Sequence, residues 1–149
     1  MRVQRRTVGE CMSDDPFTVT PETSVRRAFY NMRFEEVRHM PVVTHDKKLI
    51  GIVSDRDLRR PDLTEDPTGW DEAYQLDNDK TVQDIMSTDV KSVQTTDPLE
   101  KAAELMITHK FNALPVLNEY GDIVGIISSF DLMMALYDGL KRMELAESA

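Results

Sequence analysis

Arg38–Leu58 reads RHMPVVTHDKKLIGIVSDRDL, and Asn112–Leu132 reads NALPVLNEYGDIVGIISSFDL. The two stretches have the same length and lie 74 residues apart. At that spacing residues 7–60 align with residues 81–134 without a gap, and 15 of the 54 aligned positions are identical. A repeat at one fixed period indicates two copies of one structural unit, so the rest of the chain is best understood around it.

Within each copy the pattern predicts a short strand followed by a helix. The strands are Phe17–Val19 and Val90–Val93. Apolar residues spaced i, i+3, i+4 and i+7 indicate the helices, because this spacing places them on one helical face. They are Val25, Ala28, Phe29 and Met32 in the first copy and Leu99, Ala102, Ala103 and Met106 in the second. Asp97 is expected to cap the second of these helices, with Pro98 in the first turn and Glu100 reaching back.

Two further strands follow in each copy, joined by a polar turn. The predicted strands are Val37–Val43 and Leu49–Val53 in the first copy, and Phe111–Leu117 and Ile123–Ile127 in the second. A second helix opens at Ser54 in the first copy, where Pro61 ends it early. The corresponding helix opens at Ser128 and is expected to run to about residue 146. One face of this longer helix carries Phe130, Met133, Met134, Tyr137 and Leu140.

A β-α-β-β-α unit of this size leaves one face of its sheet exposed, so the two copies are expected to pack around one core. The expected fold class is therefore α/β (α+β). The chain divides into a first motif (7–60), an acidic linker (61–80), a second motif (81–136) and a C-terminal helical extension (137–149). Trp70 and Tyr74 in the linker either anchor it to the body or cover a partner surface.

Composition places the chain among soluble globular proteins. The net charge is −9, which argues against general nucleic-acid binding because phosphate neutralisation needs a basic face. Apolar runs are too short to cross a membrane, and no secretory leader is indicated. Cys11 is the single cysteine, so no intrachain disulfide is possible and a cytoplasmic location is expected.

The repeated stretches resemble the CBS domain, and the pair resembles a stand-alone CBS module. The Pro-Val strand, the Gly-containing strand and the Ser-x-x-Asp segment carry this resemblance in both copies, and the Met-Ser pairs Met12-Ser13 and Met86-Ser87 fit it too. The resemblance covers about residues 7–136. It implies two motifs packed sheet to sheet in one pseudo-two-fold module. Modules of this family usually form dimers, and the helix faces with Phe29, Met32, Met133 and Met134 are expected to contribute to the dimer interface.

The resemblance also implies an adenine-nucleotide site. Asp57 and Asp131 would hold the ribose hydroxyls, with Ser54 and Ser128 near the ribose and phosphate. Elementary chemistry agrees, because a carboxylate accepts two hydrogen bonds from a diol and a helix start attracts phosphate. Gly51 and Gly125 would let the backbone approach the ligand closely. Ser-x-x-Asp is equally the pattern of a capping box, and the two interpretations are compatible.

The two copies differ in charge around this motif. By analogy with the family, the residues before each Pro reach toward the phosphates, and arginine grips phosphate more strongly than asparagine. The first copy is therefore expected to provide the stronger phosphate site. The expected nucleotide-binding residues are Ser54, Asp57, Arg38, His39, Ile52, Arg56, Thr18, Ser92, Ser128, Asp131 and Asn112. Arg59 and Arg60 add to the positive charge after the Asp57 motif. Instead of binding phosphate, they are alternatively explained as a solvent-exposed helix end beside the acidic linker.

The function expected from the sequence is regulatory binding of AMP, ADP or ATP rather than catalysis. Nothing resembles a phosphate-cradling Gly-rich loop, a metal-ligand cluster or a nucleophile with its base, so no enzyme and no required cofactor are expected. A homodimer and a protein target on another chain are the expected partners, without nucleic acid or membrane. The competing hypothesis is a degenerate pair that acts as a dimerising scaffold without ligand.

Overall fold

The computed structural model describes residues 6–59 and 80–148, which divide into two compact units. One unit comprises Pro16–Val90. The other comprises Lys91–Ala149 together with Met1–Asp15. The leading segment of each repeat thus belongs to the unit that the other repeat forms. Nearly all of the acidic linker, with Trp70, Tyr74 and Arg60, lies outside the described residues.

The elements follow the same order in both repeats. In the first repeat they are α1 (Val8–Cys11), β1 (Ser13–Asp14), α2 (Val25–Glu35), β2 (His39–Val43), β3 (Leu49–Ser54) and α3 (Asp55–Leu58). In the second they are α4 (Val82–Ile85), β4 (Val93–Gln94), α5 (Leu99–His109), β5 (Ala113–Leu117), β6 (Ile123–Ser128) and α6 (Ser129–Ser148). This content of helices and strands confirms the α+β fold class.

The two units share one strand arrangement. In the Lys91–Ala149 unit the order is β1-β6-β5-β4, with β4 parallel to β5 and the other pairs antiparallel. In the Pro16–Val90 unit β2 pairs with β3, and two bridges complete the same order. Val19 pairs with Val42 in parallel, and Ile52 pairs with Ser87 in antiparallel. The strand predicted at Phe17–Val19 is therefore a single bridging residue.

Each unit has its own core, and the exchanged helices contribute to both. Val82 of α4 is fully buried in the core formed with α2, β2 and β3. Val8 of α1 is fully buried in the core of the other unit, beside Leu114 and Ile127. These helices have only four residues each, so packing rather than helix propensity holds them in place.

Gly51 and Gly125 lie where the exchanged segments pair with β3 and β6. A Cβ on Gly51 would stand 2.6 Å from the Met86 sulfur and 3.0 Å from the Ser87 carbonyl oxygen. A Cβ on Gly125 would stand 2.5 Å from the Met12 sulfur and 2.8 Å from the Ser13 carbonyl oxygen. These glycines therefore admit the Met-Ser segment of the other repeat, which is a different role from the close approach to ligand that the sequence suggested.

The helical periodicity predicted α2 accurately. Its four predicted core residues are the four that are buried: Val25, Ala28, Phe29 and Met32. The expected cap at Asp97 is wrong, since α5 begins at Leu99 with Pro98 in the capping position and without a side-chain cap. Asp97 instead accepts a hydrogen bond from the Gln94 N–H (2.7 Å) and pairs with Lys101 (3.3 Å), because it lies one residue too early to reach the helix.

Helix α6 differs from the other helices because none of its residues is buried. Its predicted apolar face is exposed, with Phe130 65% and Tyr137 57% accessible. Phe29 and Met32 belong to the core instead, so they are not available for the surface contacts that the family resemblance assigned to them.

Candidate functional site

One face of the β2–β3 pair carries the residues that the sequence marked as functional. Because side chains alternate along a strand, Met40, Val42 and Val53 point into the core. The opposite face presents His39 and Ile52, with Ser54 directly across from His39 in the antiparallel register. All three of these are half-buried.

Ser54 and Asp57 form a reciprocal pair at the end of β3. The Asp57 N–H donates to the Ser54 hydroxyl oxygen (3.0 Å), and the Ser54 N–H donates to Asp57 Oδ2 (2.9 Å). This capping box fixes the direction of the carboxylate. Among the described residues no donor reaches Asp57 Oδ1, so that oxygen keeps its capacity to accept hydrogen bonds.

The backbone around this box is largely satisfied. The Asp55 N–H donates to the Arg38 carbonyl oxygen (2.8 Å), and the Asp57 N–H is used by Ser54. Helix α3 has only four residues, so it carries little of the dipole that the sequence argument invoked for phosphate binding. The attraction for a phosphate here must come from side chains instead.

Three basic side chains surround the Asp57 box. Arg38 precedes β2 and Arg56 lies in α3, and both are exposed. Arg59 pairs with Asp55 one turn earlier (3.2 Å), which agrees with its interpretation as an exposed helix end. Among the described residues, Arg38 and Arg56 are two exposed cations next to this box in the chain or through the β2–α3 backbone contact.

His39 adds a titratable group to the same face. Burial lowers the pKa of His39 below its usual value, against the opposing effect of the Asp57 carboxylate. Arg38 lowers this pKa further and Asp55 raises it. A negative charge brought close to His39, such as a phosphate, would raise this pKa again.

The second copy repeats the box but not the charge. The Ser128 N–H donates to Asp131 Oδ2 (2.8 Å), and the Asp131 N–H donates to the Ser128 hydroxyl oxygen (3.1 Å). The Ser129 N–H donates to the Asn112 carbonyl oxygen (2.8 Å), as Asp55 does to Arg38. The positions of Arg38, His39 and Arg56 are occupied by Asn112, Ala113 and Phe130.

Asp131 and several other charged groups influence Cys11. Burial raises the pKa of the Cys11 thiol, the Arg6 guanidinium lowers it, and Glu10, Asp131 and Asp138 raise it further. Arg6 is itself paired with Asp138 at 3.5 Å. Asp131 and two further carboxylates, Glu10 and Asp138, therefore act electrostatically on the same thiol.

Thr18 and Ser92 lie at equivalent positions, each just before the residue that joins the edge of its sheet. Thr18 is exposed and precedes Val19, which exchanges backbone hydrogen bonds with β2. Ser92 is half-buried and precedes β4. Thr18 belongs to the unit of Asp57, and Ser92 belongs to the unit of Asp131.

Sequence reasoning missed the residues that border these sites from the other repeat. Ser87 forms both backbone hydrogen bonds with Ile52 (2.9 and 3.0 Å), so the strand that leads to Ser54 is flanked by the exchanged segment. Ser13 pairs with Ile126 in the same way. The signal for this contact was a Met-Ser pair and a glycine present in both copies, although the sequence did not connect them.

Two kinds of feature are absent from the described residues. Across 6–59 and 80–148, no group of three or more His, Cys, Asp or Glu side chains could hold a metal ion. Within the same ranges no helix is both long and apolar enough to cross a membrane.

Comparisons with known proteins agree with the fold. CBSX2 from Arabidopsis thaliana, solved in complex with AMP, is 31% identical, with a TM-score of 0.73 over 89% of this chain and 97% of that one. The CBS domain pair of protein MJ0100, solved with 5′-methylthioadenosine and S-adenosyl-L-methionine, is 25% identical, with a TM-score of 0.71 over 87% and 98%.

A curated relative is much longer than this chain. The homoserine O-acetyltransferase of Methanocorpusculum labreanum is 32% identical over 130 residues, which cover 87% of this chain and 24% of that enzyme. The chain thus spans about a quarter of this relative. The family model for the CBS domain matches residues 8–62 and 82–138, so the chain belongs to the CBS domain family as a tandem pair.

Proposed function

We propose that this chain is a regulatory module that binds an adenine nucleotide of the AMP, ADP or ATP type. The observation that carries the proposal is the duplicated Ser-x-x-Asp box, with one carboxylate oxygen held by the backbone and the other available. A ribose diol needs an acceptor of this kind, fixed in direction before the ligand arrives. No catalytic step and no permanently bound cofactor are part of the proposal.

The comparisons support the ligand class. CBSX2 was solved with AMP, and the MJ0100 domain pair was solved with two adenosine derivatives without phosphate. Adenosine is the shared part of these ligands. In our proposal Asp57 and Asp131 receive that shared part, while the residues before each Pro meet the 5′ substituent.

The site around Asp57 is the stronger phosphate site in this proposal. Arg38 and Arg56 supply two exposed cations there, and the exposure of their side chains leaves them free to turn toward a ligand. His39 becomes a third donor once a phosphate raises its pKa. Ile52 and Thr18 contribute apolar and backbone contacts at this site, and Ser92 contributes the corresponding backbone contact in the unit of Asp131.

Regulation requires that binding favours one state of the module over another. We propose that nucleotide binding changes an exposed surface that a cytoplasmic protein on another chain recognises. Asp57 is suited to begin such a change, because the same carboxylate caps α3 and would face the ribose.

Calorimetric titration with AMP, ADP and ATP tests the proposal. We expect micromolar binding of at least one nucleotide, with Asp57→Asn weakening it by about 10-fold or more, as expected for hydrogen bonds to a charged acceptor. Asparagine keeps an acceptor for the Ser54 N–H, so the cap is preserved while the charge is lost. No heat with any of the three nucleotides would refute the proposal.

Asp84→Asn is the matched control. Asp84 accepts from the Thr81 N–H at 2.9 Å in a capping box of the same kind, at the start of α4. We expect nucleotide affinity within about twofold of the original protein for this variant. An equal loss of affinity in both variants would show that capping, rather than contact with the ligand, explains the effect.

A dimerising scaffold without ligand is the second candidate function. The observation in its favour is the exposed apolar face of α6, where Met133, Tyr137 and Leu140 are each more than half accessible. In this candidate the chain is a homodimer joined through that face. Light scattering of the original chain and of Leu140→Glu tests it: a dimer that becomes a monomer supports the interface, and a monomer in both cases refutes it.

A further inference from the structure

We propose that the acidic linker docks onto the exposed face of α2 in its own repeat, with Trp70 and Tyr74 against the aromatic side chains of that face. The occupant of this surface is thus a segment of the same chain. The contact is independent of nucleotide binding. It gives Trp70 and Tyr74 the first of the two roles that the sequence allowed, an anchor of the linker to the body.

Helix α2 carries an aromatic and basic stripe on the side opposite its buried face. Arg27, Tyr30 and Phe34 follow one another at i, i+3 and i+7, so they lie along one side of the helix. Phe34 is 86% accessible and Tyr30 is 42% accessible. Two aromatic rings about one turn apart form an apolar surface that gains free energy when another apolar group covers it.

The second repeat has neither this stripe nor a linker. At the three equivalent positions α5 has no aromatic side chain, and they are Lys101, Glu104 and Thr108. In that repeat α6 contacts α5 and continues as a helix to Ser148. In the first repeat α3 contacts α2 and ends at Leu58, and the linker follows. The aromatic stripe and the acidic linker therefore occur together in one repeat.

The linker begins and ends beside α2. The carbonyl oxygen of Lys80, its last residue, accepts a hydrogen bond from the N–H of Val25, the first residue of α2 (2.9 Å). Ser24 and Thr81 form an antiparallel bridge at the same point. At the other end, Arg59 directly follows α3, which contacts α2. All of these residues belong to the Pro16–Val90 unit, so the docking takes place within one unit.

The linker is long enough to cover this helix. Helix α2 has 11 residues and is therefore about 16 Å long. Residues 61–79 can extend over about 60 Å at about 3.3 Å per residue. Tyr74 lies six residues before Lys80, which corresponds to about 20 Å of extended chain. That reach exceeds the length of α2, so the linker can bring its aromatic residues to Phe34 near the far end of the helix.

The charges of the two surfaces are opposite. Residues 61–79 hold seven acidic and no basic side chains. Helix α2 holds Arg26, Arg27 and Arg33 against the single carboxylate of Glu35. Exposed ion pairs contribute little one by one, but several charges of one sign attract an opposite segment over about 8 Å at physiological salt. Charge thus directs the linker toward α2, and the aromatic contact holds it there.

Trp70 is the single tryptophan of the chain, so its fluorescence reports on the linker without an added label. The measurement is acrylamide quenching of the full chain, folded and unfolded in urea. We expect Trp70 to be quenched at least about twofold less efficiently in the folded chain, because a docked indole is shielded from water. The double variant Tyr30→Ser with Phe34→Ser should raise the quenching constant to near the unfolded value. Arg27→Glu and added salt should each raise it in part.

The matched control variants lie in the other repeat. Lys101→Glu reverses the charge at the position equivalent to Arg27, and Ile107→Ser removes a side chain of α5 that is 78% accessible. We expect both to leave the quenching constant within about 20% of the original value. All substituted side chains are exposed, so the variants are expected to fold, which far-ultraviolet circular dichroism checks.

Three results would overturn the inference. Trp70 that is quenched equally well in the folded and the unfolded chain is not docked. An equal rise in the α2 variants and in the α5 controls would show that the effect is not specific to the stripe. If the Tyr30→Ser and Phe34→Ser double variant leaves quenching unchanged while light scattering shows a dimer becoming a monomer, a second copy covers the stripe instead of the linker.

Discussion

Placing a methyl group on Gly51 or Gly125 tests the exchange of leading segments between the repeats. On Gly51 the new Cβ would lie 2.6 Å from the Met86 sulfur and 3.0 Å from the Ser87 oxygen. On Gly125 the distances to the Met12 sulfur and the Ser13 oxygen would be 2.5 and 2.8 Å. All four distances are well inside the normal separation of about 3.5–4.0 Å between nonbonded heavy atoms.

The magnitude depends on which neighbour can move. A methionine side chain is flexible and can adapt at modest cost. The Ser87 carbonyl is held by the Ile52 N–H at 3.0 Å, so relieving that contact disturbs the edge of the sheet. Overpacking of this kind costs about 1–3 kcal/mol. We expect Gly51→Ala near the lower end and Gly125→Ala near the upper end, since its backbone contact is closer.

Gly139 provides the matched control. It lies in α6, and a Cβ there would meet nothing within 4 Å. Gly139→Ala should therefore raise the free energy of unfolding by about 0.5–1 kcal/mol, because alanine favours the helix more than glycine does.

The assay is urea denaturation of all three variants, compared at equal slope so that midpoints report stability. A double variant, Gly51→Ala with Met86→Ala, should cost less than the two single costs combined, because removing the thioether relieves part of the clash. The reasoning is refuted if Gly51→Ala and Gly125→Ala are as stable as the original chain. Additive costs in the double variant would show that Gly51 and Met86 are not in contact.

Three further predictions concern stability. Val8→Ala should lower the free energy of unfolding by about 2 kcal/mol, because two buried methyl groups are lost from the core that the second repeat forms. An unchanged midpoint in urea denaturation would contradict the placement of α1 in that core. Ser54→Ala and Ser128→Ala should each cost about 1 kcal/mol through loss of the cap, measured as a shift of the thermal midpoint, and no shift would show that the caps contribute nothing. The lowered pKa of buried His39 means that the unfolded chain binds this proton more readily, so its contribution destabilises the fold as pH falls below about 6.5. His39→Gln should lose less stability than the original chain between about pH 7.5 and pH 5.5, and an unchanged pH dependence in this variant would refute the assignment.

Local patterns in the sequence predicted what depends on local physics. The face of α2 agrees with its helical spacing, because apolar residues at i, i+3, i+4 and i+7 lie on one side of a helix and in α2 that side is buried. The boxes at Ser54 and Ser128 are equally local, since each is closed between residues three positions apart. The cap predicted at Asp97 failed because Pro98, and not Asp97, occupies the capping position before α5.

The sequence also could not show whether the apolar face of α6 is buried or exposed. The spacing of Phe130, Tyr137 and Leu140 is the same for a core helix and for an exposed one. Only the surrounding elements decide between them, and in the structure α6 has no buried residue.

The sequence by itself determined that there are two copies of one unit, the order of elements in each, and the unequal charge next to Asp57 and Asp131. Only the tertiary structure decided which leading segment completes which core. Val8 and Val82 are identical residues in equivalent positions, so either helix could fill either core as far as composition and pattern are concerned. The tertiary fold determines which helix enters which core. The close approach of Met86 to Gly51 and of Met12 to Gly125 shows the result.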